Sequence, residues 1–273
     1  MKLYRILLIS AVLPLFSVVA QNNCDVENNV FSPGERLEYN VYYNVSFFWI
    51  NAGNCQFNVR NASFNGKSAY QFSVEGKSLR SFDPFYRVRD TLVSYVDSQS
   101  LTPFKAYKFT HEDNWYGIDD YTFNKVNDEW RITTKLFRKK AWKPTEVTTT
   151  LSCGFDILTS FYRLRCFTGP MMNVPGKTIE IPVHLDDGEY KVSLTYLGKE
   201  KIKLHNVGYY NAQAFTITLV EGKVFKRGDK LKVWLSDDKN NIPLLIESPI
   251  KVGQVKAVLN SAVNTKYPLQ LSL

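Results

Sequence analysis

The sequence predicts a mainly β protein: strongly curved antiparallel sheets, or an open barrel or sandwich, with one central α-helix near residues 154–165. Three observations predict it. Apolar and polar residues alternate with period two over most of the chain, the mark of half-buried strands. Turn signals recur between these runs at the short spacing of a sandwich or barrel. Aromatic residues make up 14% of the chain, with 16 Tyr and 18 Phe, and both types favour strands.

The elements follow in order. Pro33-Gly34 is a turn that launches the first strand. In that strand Leu37, Tyr39, Val41 and Tyr43 face one way, and Arg36, Glu38, Asn40 and Tyr42 the other. Asn51-Ala52-Gly53-Asn54 is turn chemistry, and Gly53 suits a bend that a side chain would obstruct. Phe57 and Val59 begin a return strand. Asn65-Gly66 is the strongest short hairpin signal and leads into a strand around 69–74. Segments 85–96, 104–110, 116–123 and 129–137 continue the alternation, with Asn127-Asp128 turning the last pair.

Residues 154–165 interrupt this run with a helical pattern: Ile157, Leu158, Phe161, Tyr162 and Leu164 fall on one face. Asp156 lies in the first turn, where a carboxylate meets the positive end of the dipole. Arg163 and Arg165 lie in the last turn, where cations are favoured. Gly169-Pro170 and Pro175-Gly176 bound a loop. Strands resume at 179–185 and 190–196, joined by Asp187-Gly188, then at 215–219, 231–235, 242–246 and 253–259. The total is about fourteen to sixteen short strands. No low-complexity linker divides them, so residues 21–273 read as a single β-rich domain. A description as two β halves, about 30–150 and 175–262, flanking the helix is the alternative.

Residues 1–20 have the form of a secretory signal peptide. Lys2 and Arg5 precede an apolar run from Ile6 to Ala20, and Val18 and Ala20 are small residues at cleavage spacing. The run is shorter than the roughly 20 residues of a membrane span, and Pro14 interrupts it. Cleavage after Ala20 is expected. Cys24 follows Gln21, Asn22 and Asn23, which are too large and polar for a lipid-attachment site. The chain is therefore expected in the periplasm or at the cell surface, soluble, with no transmembrane span after cleavage.

The net charge is +8, and loss of Lys2 and Arg5 reduces it further. That charge is too weak and too dispersed for a nucleic-acid partner, which calls for a concentrated basic stripe. Export permits disulfides among Cys24, Cys55, Cys153 and Cys166. A straight helix would hold Cys153 and Cys166 roughly 20 Å apart, beyond the reach of a disulfide. Cys24–Cys55 is the expected bond, with the helix-flanking pair reduced.

Three stretches carry a resemblance: Phe31-Ser32-Pro33-Gly34-Glu35-Arg36-Leu37-Glu38-Tyr39 followed by Asn51-Ala52-Gly53; the segment from Phe155 to Arg165; and Val233-Trp234-Leu235-Ser236-Asp237-Asp238 followed by Ile242-Pro243-Leu244 and Val252-Gly253. In this order they resemble the exported bacterial family of domain of unknown function 3108, over about 30 to 262. The resemblance implies a periplasmic or surface protein, mostly β, with no established activity. It carries over no catalytic residue, and the Cys153 and Cys166 pair is not part of the pattern.

No motif names a reaction. His111, His184 and His205 lack a second ligand at metal spacing, and no nucleophile elbow is present. No metal and no cofactor is expected. Asp119-Asp120 and Asp237-Asp238 read as turn or surface acids, and Arg227-Gly228-Asp229 as a hairpin turn. Arg87, Arg89 and Asp90 sit in one alternating strand, with Asp90 on the opposite face from the arginines and expected to make a structural ion pair. The basic run Arg138-Lys139-Lys140-Ala141-Trp142-Lys143 reads as a solvated loop with capacity to meet anionic headgroups or polysaccharide. Arg87, Asp90 and Trp142 are the candidate ligand-binding residues.

The leading expectation is an exported cell-envelope protein, non-enzymatic, with a binding or structural and accessory role toward an envelope ligand or protein. The first alternative is a periplasmic carrier of a lipid-like ligand, held in an open cavity of Phe, Tyr and Leu on the concave face of the sheet. The second is a glycan-acting envelope enzyme, which requires two carboxylates about 5 to 9.5 Å apart across a gap, drawn from Asp90, Glu112, Asp113, Asp119 and Asp120.

Overall fold

Alternation becomes sheet along almost the whole chain. The computed structural model describes residues 26–45, 48–127, 129–167, 174–186, 188–204, 208–218, 228–250 and 253–269. The expected signal segment 1–20, Cys24, Asp128, Gly169-Pro170, Asp187, His205, Leu219, Arg227 and Val252 lie outside the described residues.

The first nine strands are β1 (Arg36–Val45), β2 (Phe48–Phe64), β3 (Lys67–Ser78), β4 (Arg89–Asp97), β5 (Pro103–Glu112), β6 (Trp115–Val126), β7 (Glu129–Arg138), β8 (Ala141–Trp142) and β9 (Glu146–Thr150). The helix α1 (Ile157–Cys166) follows. Then come β10 (Thr178–Leu185), β11 (Gly188–Leu204), β12 (Gly208–Thr218), β13 (Lys230–Ser236), β14 (Pro243–Pro249) and β15 (Gln254–Val263). All fifteen join one antiparallel sheet in the order β10-β11-β12-β13-β14-β15-β1-β2-β3-β4-β5-β6-β7-β8, with β9 also on β7. The chain therefore meanders, and its two ends meet where β15 pairs with β1.

Turn chemistry sets the hairpin registers. Asn65 and Gly66 both adopt positive φ, 49° and 79°, as a two-residue primed turn demands. Residues 51–54, expected as a turn, lie inside β2, and Gly53 sits at the β-bulge in the pairing of β2 with β1, close against β3. A Cβ there would come within 2.5 Å of the Lys77 carbonyl oxygen, so only glycine allows that approach.

The sheet curls until its edges face each other without closing into a barrel. Between β7 and β10 the contacts come from side chains and one connecting segment. Phe155 bridges Val183, and the His184 amide donates to the Phe155 carbonyl at 2.7 Å. Thr134 Oγ1 meets His184 Nε2 at 2.8 Å, and the Ser152 hydroxyl donates to Glu189 at 2.8 Å.

The concave side is filled by α1, which packs on β3, β4 and β10. Asp156 caps it, accepting from the Leu158 and Thr159 amides at 3.0 Å and from the hydroxyls of Ser94 and Thr159. Asp156, expected inside the first turn of a helix from 154, is instead the residue that caps a helix beginning at Ile157. Leu158 and Tyr162 join Phe31, Phe72 and Val96 in one apolar cluster. Leu164 joins Ile132, Phe155, Val183 and Phe215 in another. These two clusters pack α1 against the sheet.

Arg163 and Arg165 are fully buried, which a helix-dipole argument does not anticipate. Arg163 stacks on Phe155 at 4.0 Å and donates to the Ser100 carbonyl at 3.1 Å. Arg165 forms a two-pronged ion pair with Glu35 at 2.5 and 2.9 Å and also donates to the Asn240 carbonyl at 3.0 Å.

The cysteine expectation is corrected. Cys55 and Cys166 are free thiols, so Cys55 is not bonded to Cys24. Cys55 lies on β2 and packs among Phe57 and its apolar neighbours, and burial pushes its thiol up to about 12. Cys153 is disulfide-bonded.

Burial also raises the Asp156 carboxyl above the ordinary carboxylate range, against its hydrogen bonds, which act to lower it. A raised folded-state pKa makes the folded state hold its proton more tightly than the unfolded chain. Stability from this group is then greatest below the unfolded pKa and falls as pH rises through the folded one. Asp156→Asn keeps an acceptor at the cap and is expected to flatten that decline. Asp156→Ala should cost about 1–2 kcal/mol at any pH. Urea midpoints measured across the acidic range separate the two variants.

Candidate functional site

Alternation on β5, β6 and β7 brings a second set of polar side chains to the same concave surface beyond the N-terminus of α1. Side chains two residues apart on a strand share a face. Thus Ala106, Lys108, Thr110 and Glu112 line up on β5, Asp119 and Tyr121 on β6, and Leu136 and Arg138 on β7. With Asp156, His184 and Asp186 they bound a cleft of about 920 Å³.

The floor is an ionic network centred on Asp119, which is almost fully buried. Lys108 is its direct cross-strand partner, with the ammonium 3.7 Å from the carboxylate. Arg138 reaches the same carboxylate diagonally from β7, and the Tyr121 hydroxyl donates to it at 3.2 Å. Burial first, then the Asp119 charge, pushes the Tyr121 phenol far above its ordinary value. Arg138 also donates to the carbonyls of Ile118 and Phe137 at 3.1 and 2.9 Å and reaches Asp186 at 3.4 Å across the seam. Its guanidinium lies over Trp115, 5.9 Å from the ring centre. Gly117 makes room for it, since a Cβ there would come within 3.0 Å of Arg138 Nη1.

The mouth differs from the floor. Lys139 and Lys143 line it, and neither forms an ion pair among the described residues. Arg138 pairs with Ala141, so Lys139 and Lys140 are the two central residues of a tight hairpin, with φ of 51° and 66°. That conformation is usual for Asn and Gly and costs a lysine roughly 1–2 kcal/mol. The basic run is thus the exposed connection between strands expected from its letters, tightened into a strained two-residue turn between β7 and β8.

A second carboxyl cluster edges the cleft. Glu112 accepts from the Tyr86 hydroxyl at 2.7 Å and hydrogen-bonds to Asp90. Asp90 also accepts from the His111 amide at 2.9 Å. Burial, and then the neighbouring Glu112, raises the Asp90 carboxyl above the ordinary carboxylate range. The structural ion pair expected of Asp90 is not what forms. Arg89 turns instead to Asp83, at 2.7 Å.

The candidate residues read from sequence are not brought together. Asp90 reaches the cleft edge only through Glu112. Arg87 is exposed, and its amide, not its guanidinium, engages Asp113 at 2.8 Å. Trp142 is 54% exposed on β8 and packs on Phe137 at 5.4 Å, on the face opposite Arg138. Asp119 and Asp120, expected as turn or surface acids, are β6 residues in ion pairs, Asp120 with Lys105. Nothing local in the sequence marks Lys108, Tyr121 and His184 as a set, because they come from three strands.

Two carboxyl pairs come close together at the cleft, each held by its own contacts. Asp90 and Glu112 touch, while Asp119 and Asp186 have the Arg138 guanidinium between them. Among the described residues no cluster of three or more His, Cys, Asp or Glu has the geometry to hold a metal ion. None of the described helices is long and apolar enough to cross a membrane.

Known proteins speak to the fold. The crystal structure of a β-barrel-like protein of domain of unknown function DUF1849 from Brucella abortus is similar, with a TM-score of 0.58 and 9% identity. The match covers 85% of this chain and 98% of that one. Among curated proteins none matches the sequence. The model of the family described as protein of unknown function (DUF3108) matches residues 38–260, and the chain belongs to that family.

Proposed function

We propose that this is an exported cell-envelope protein that binds, rather than transforms, an acidic saccharide in the cleft between β5, β6, β7 and the end of β10. The observation that carries the reading is the pair of uncompensated cations, Lys139 and Lys143, at the mouth of a cleft whose deeper charges are already paired. Charges at the floor are matched and rigid, so they set shape. Charges at the mouth have no internal partner, so a ligand carboxylate or phosphate gains them at little cost. Backbone strain at Lys139 adds support, because strained turns persist where the surroundings or a ligand hold them. Trp115 and Tyr86 offer ring faces for a sugar. Export rests on the form of residues 1–20.

Native mass spectrometry of the protein purified from its own envelope tests this. The wild type should retain a bound acidic glycan, and Lys139→Ala/Lys143→Ala should lose it, with affinity reduced roughly a hundredfold. A bare mass for both proteins, or a neutral ligand retained equally by both, would overturn the reading.

A further inference from the structure

One end of the sheet carries an apolar surface unrelated to the cleft chemistry. Phe85 and Phe48 are 78% and 74% exposed, the most exposed large apolar side chains among the described residues. They belong to one patch. Ile50 is directly opposite Tyr43 in the β1–β2 pair, so the two share a face, and Phe48 lies two residues from Ile50 on the same side. The Tyr43 ring meets Phe82 at 6.1 Å, and Phe82 meets Phe85 at 5.9 Å.

The segment presenting Phe85 is held firmly. Phe82 and Asp83 amides donate to the Leu79 carbonyl, and Phe85 and Tyr86 amides to the Phe82 carbonyl. Asp83 is locked by Arg89 at 2.7 Å and by the Ser78 hydroxyl. The phenylalanine is thus displayed on an ordered turn. Left 78% exposed, the ring forgoes most of the stabilisation its burial would bring.

The turn carrying Phe85 has acids beside it, Glu112 at the Tyr86 hydroxyl and Asp113 at the Arg87 amide, and exposed cations close in sequence. Lys77, Arg80 and Arg87 are exposed and form no ion pair among the described residues, while the nearby Asp83 is neutralised by Arg89. Lys256 lies over Trp49 at 4.2 Å and over Tyr42 at 5.7 Å on the reverse face of the same strands. Projecting phenylalanines, flanking Trp and Tyr, and surrounding Lys and Arg are what a protein resting on an anionic lipid surface presents. The patch protrudes on two separate segments, which suits a soft, planar partner.

We propose that this end of the molecule docks on an anionic bilayer, with Phe48 and Phe85 entering at headgroup depth and Arg80, Arg87 and Lys77 meeting lipid phosphates. The proposal does not depend on what the cleft binds. Flotation of the chain with phosphatidylcholine vesicles, with and without phosphatidylglycerol, tests it. Binding should require phosphatidylglycerol and weaken as salt is raised. Phe48→Ser/Phe85→Ser should lower the partition coefficient roughly tenfold or more while leaving the melting temperature unchanged. Arg80→Gln/Arg87→Gln should lower it at low salt. Lys139→Ala/Lys143→Ala should bind vesicles as the wild type does, which keeps this result separate from the cleft reading. Absence of binding by the wild type, or binding indifferent to the two phenylalanines, would overturn the proposal. So would a wild-type dimer, seen by light scattering, that the phenylalanine substitutions disperse, since the patch would then be a contact between two copies.

Discussion

Replacing Glu35 with alanine is expected to lower the unfolding free energy by about 3–5 kcal/mol. Glu35 is 1% exposed and Arg165 is 0% exposed, and their charges meet in a two-pronged pair at 2.5 and 2.9 Å. Removing the carboxylate leaves a guanidinium buried among Phe31, Tyr39 and Tyr162 with only the Asn240 carbonyl to satisfy it. Arg165→Ala should cost a similar amount by stranding the Glu35 carboxylate. Combining Glu35→Leu with Arg165→Met removes both charges and keeps the volume. That double variant should cost less than either single substitution, giving a coupling energy of about 2–3 kcal/mol. Denaturant unfolding of the wild type, Glu35→Leu, Arg165→Met and the double variant measures the cycle. Additive losses would mean that the pair contributes only packing. The position of the pair explains the size of the effect. It joins the residue before β1 to the C-terminal end of α1, 130 residues away, and the Asn241 side chain donates to the Arg165 carbonyl at 2.9 Å. Loss of the pair loosens the helix that fills the interior.

Features that depend on a few neighbouring residues were legible in the sequence, and features assembled across strands were not. Asn65-Gly66 announces its hairpin because positive φ at two adjacent positions suits few other residues. Gly53 announces a close approach because only its missing Cβ lets the Lys77 carbonyl in. Asp156 marks the N-terminal end of the helix as an acid at the positive end of the dipole, and its carboxylate turns out to accept from the amides two and three residues on. The family likeness read from the Phe31–Tyr39 stretch, the helix and the Val233–Asp238 stretch agrees with the matched family over residues 38–260. By contrast, Arg163 and Arg165 read as ordinary last-turn cations, since nothing nearby reveals that this end of the helix is buried against Glu35, Leu101 and Asn240. The cleft was hidden for the same reason. Lys108, Asp119 and Arg138 meet because of cross-strand register, and register is a property of pairs of strands. Lys139 and Lys140 lie in the exposed connection their letters suggest, but a lysine pair carries no signal for the positive φ that strand pairing imposes on both.

Tyr162 is where packing and polarity pull apart. Its ring stacks on Phe72 at 4.0 Å and meets Phe31 edge-on at 5.1 Å, with full burial. Tyr162→Ala removes the ring from the centre of this cluster and is expected to cost about 3–5 kcal/mol, the range for a large aromatic lost from a core that cannot collapse. Its hydroxyl is buried without a hydrogen-bond partner among the described residues. Burial, with the Glu35 charge adding to it, also drives that phenol far above its ordinary value, so it stays protonated. Tyr162→Phe keeps every ring contact and deletes an unsatisfied polar group. It should therefore be neutral, or stabilising by about 1 kcal/mol. Guanidinium unfolding of the two variants at one pH reads both effects. A large loss for alanine beside no loss for phenylalanine assigns the role of Tyr162 to its ring. A loss of more than about 1 kcal/mol for phenylalanine would show that the hydroxyl is bonded in solution, and the interior around Glu35 and Arg165 would then be a wider polar network than its two charges define.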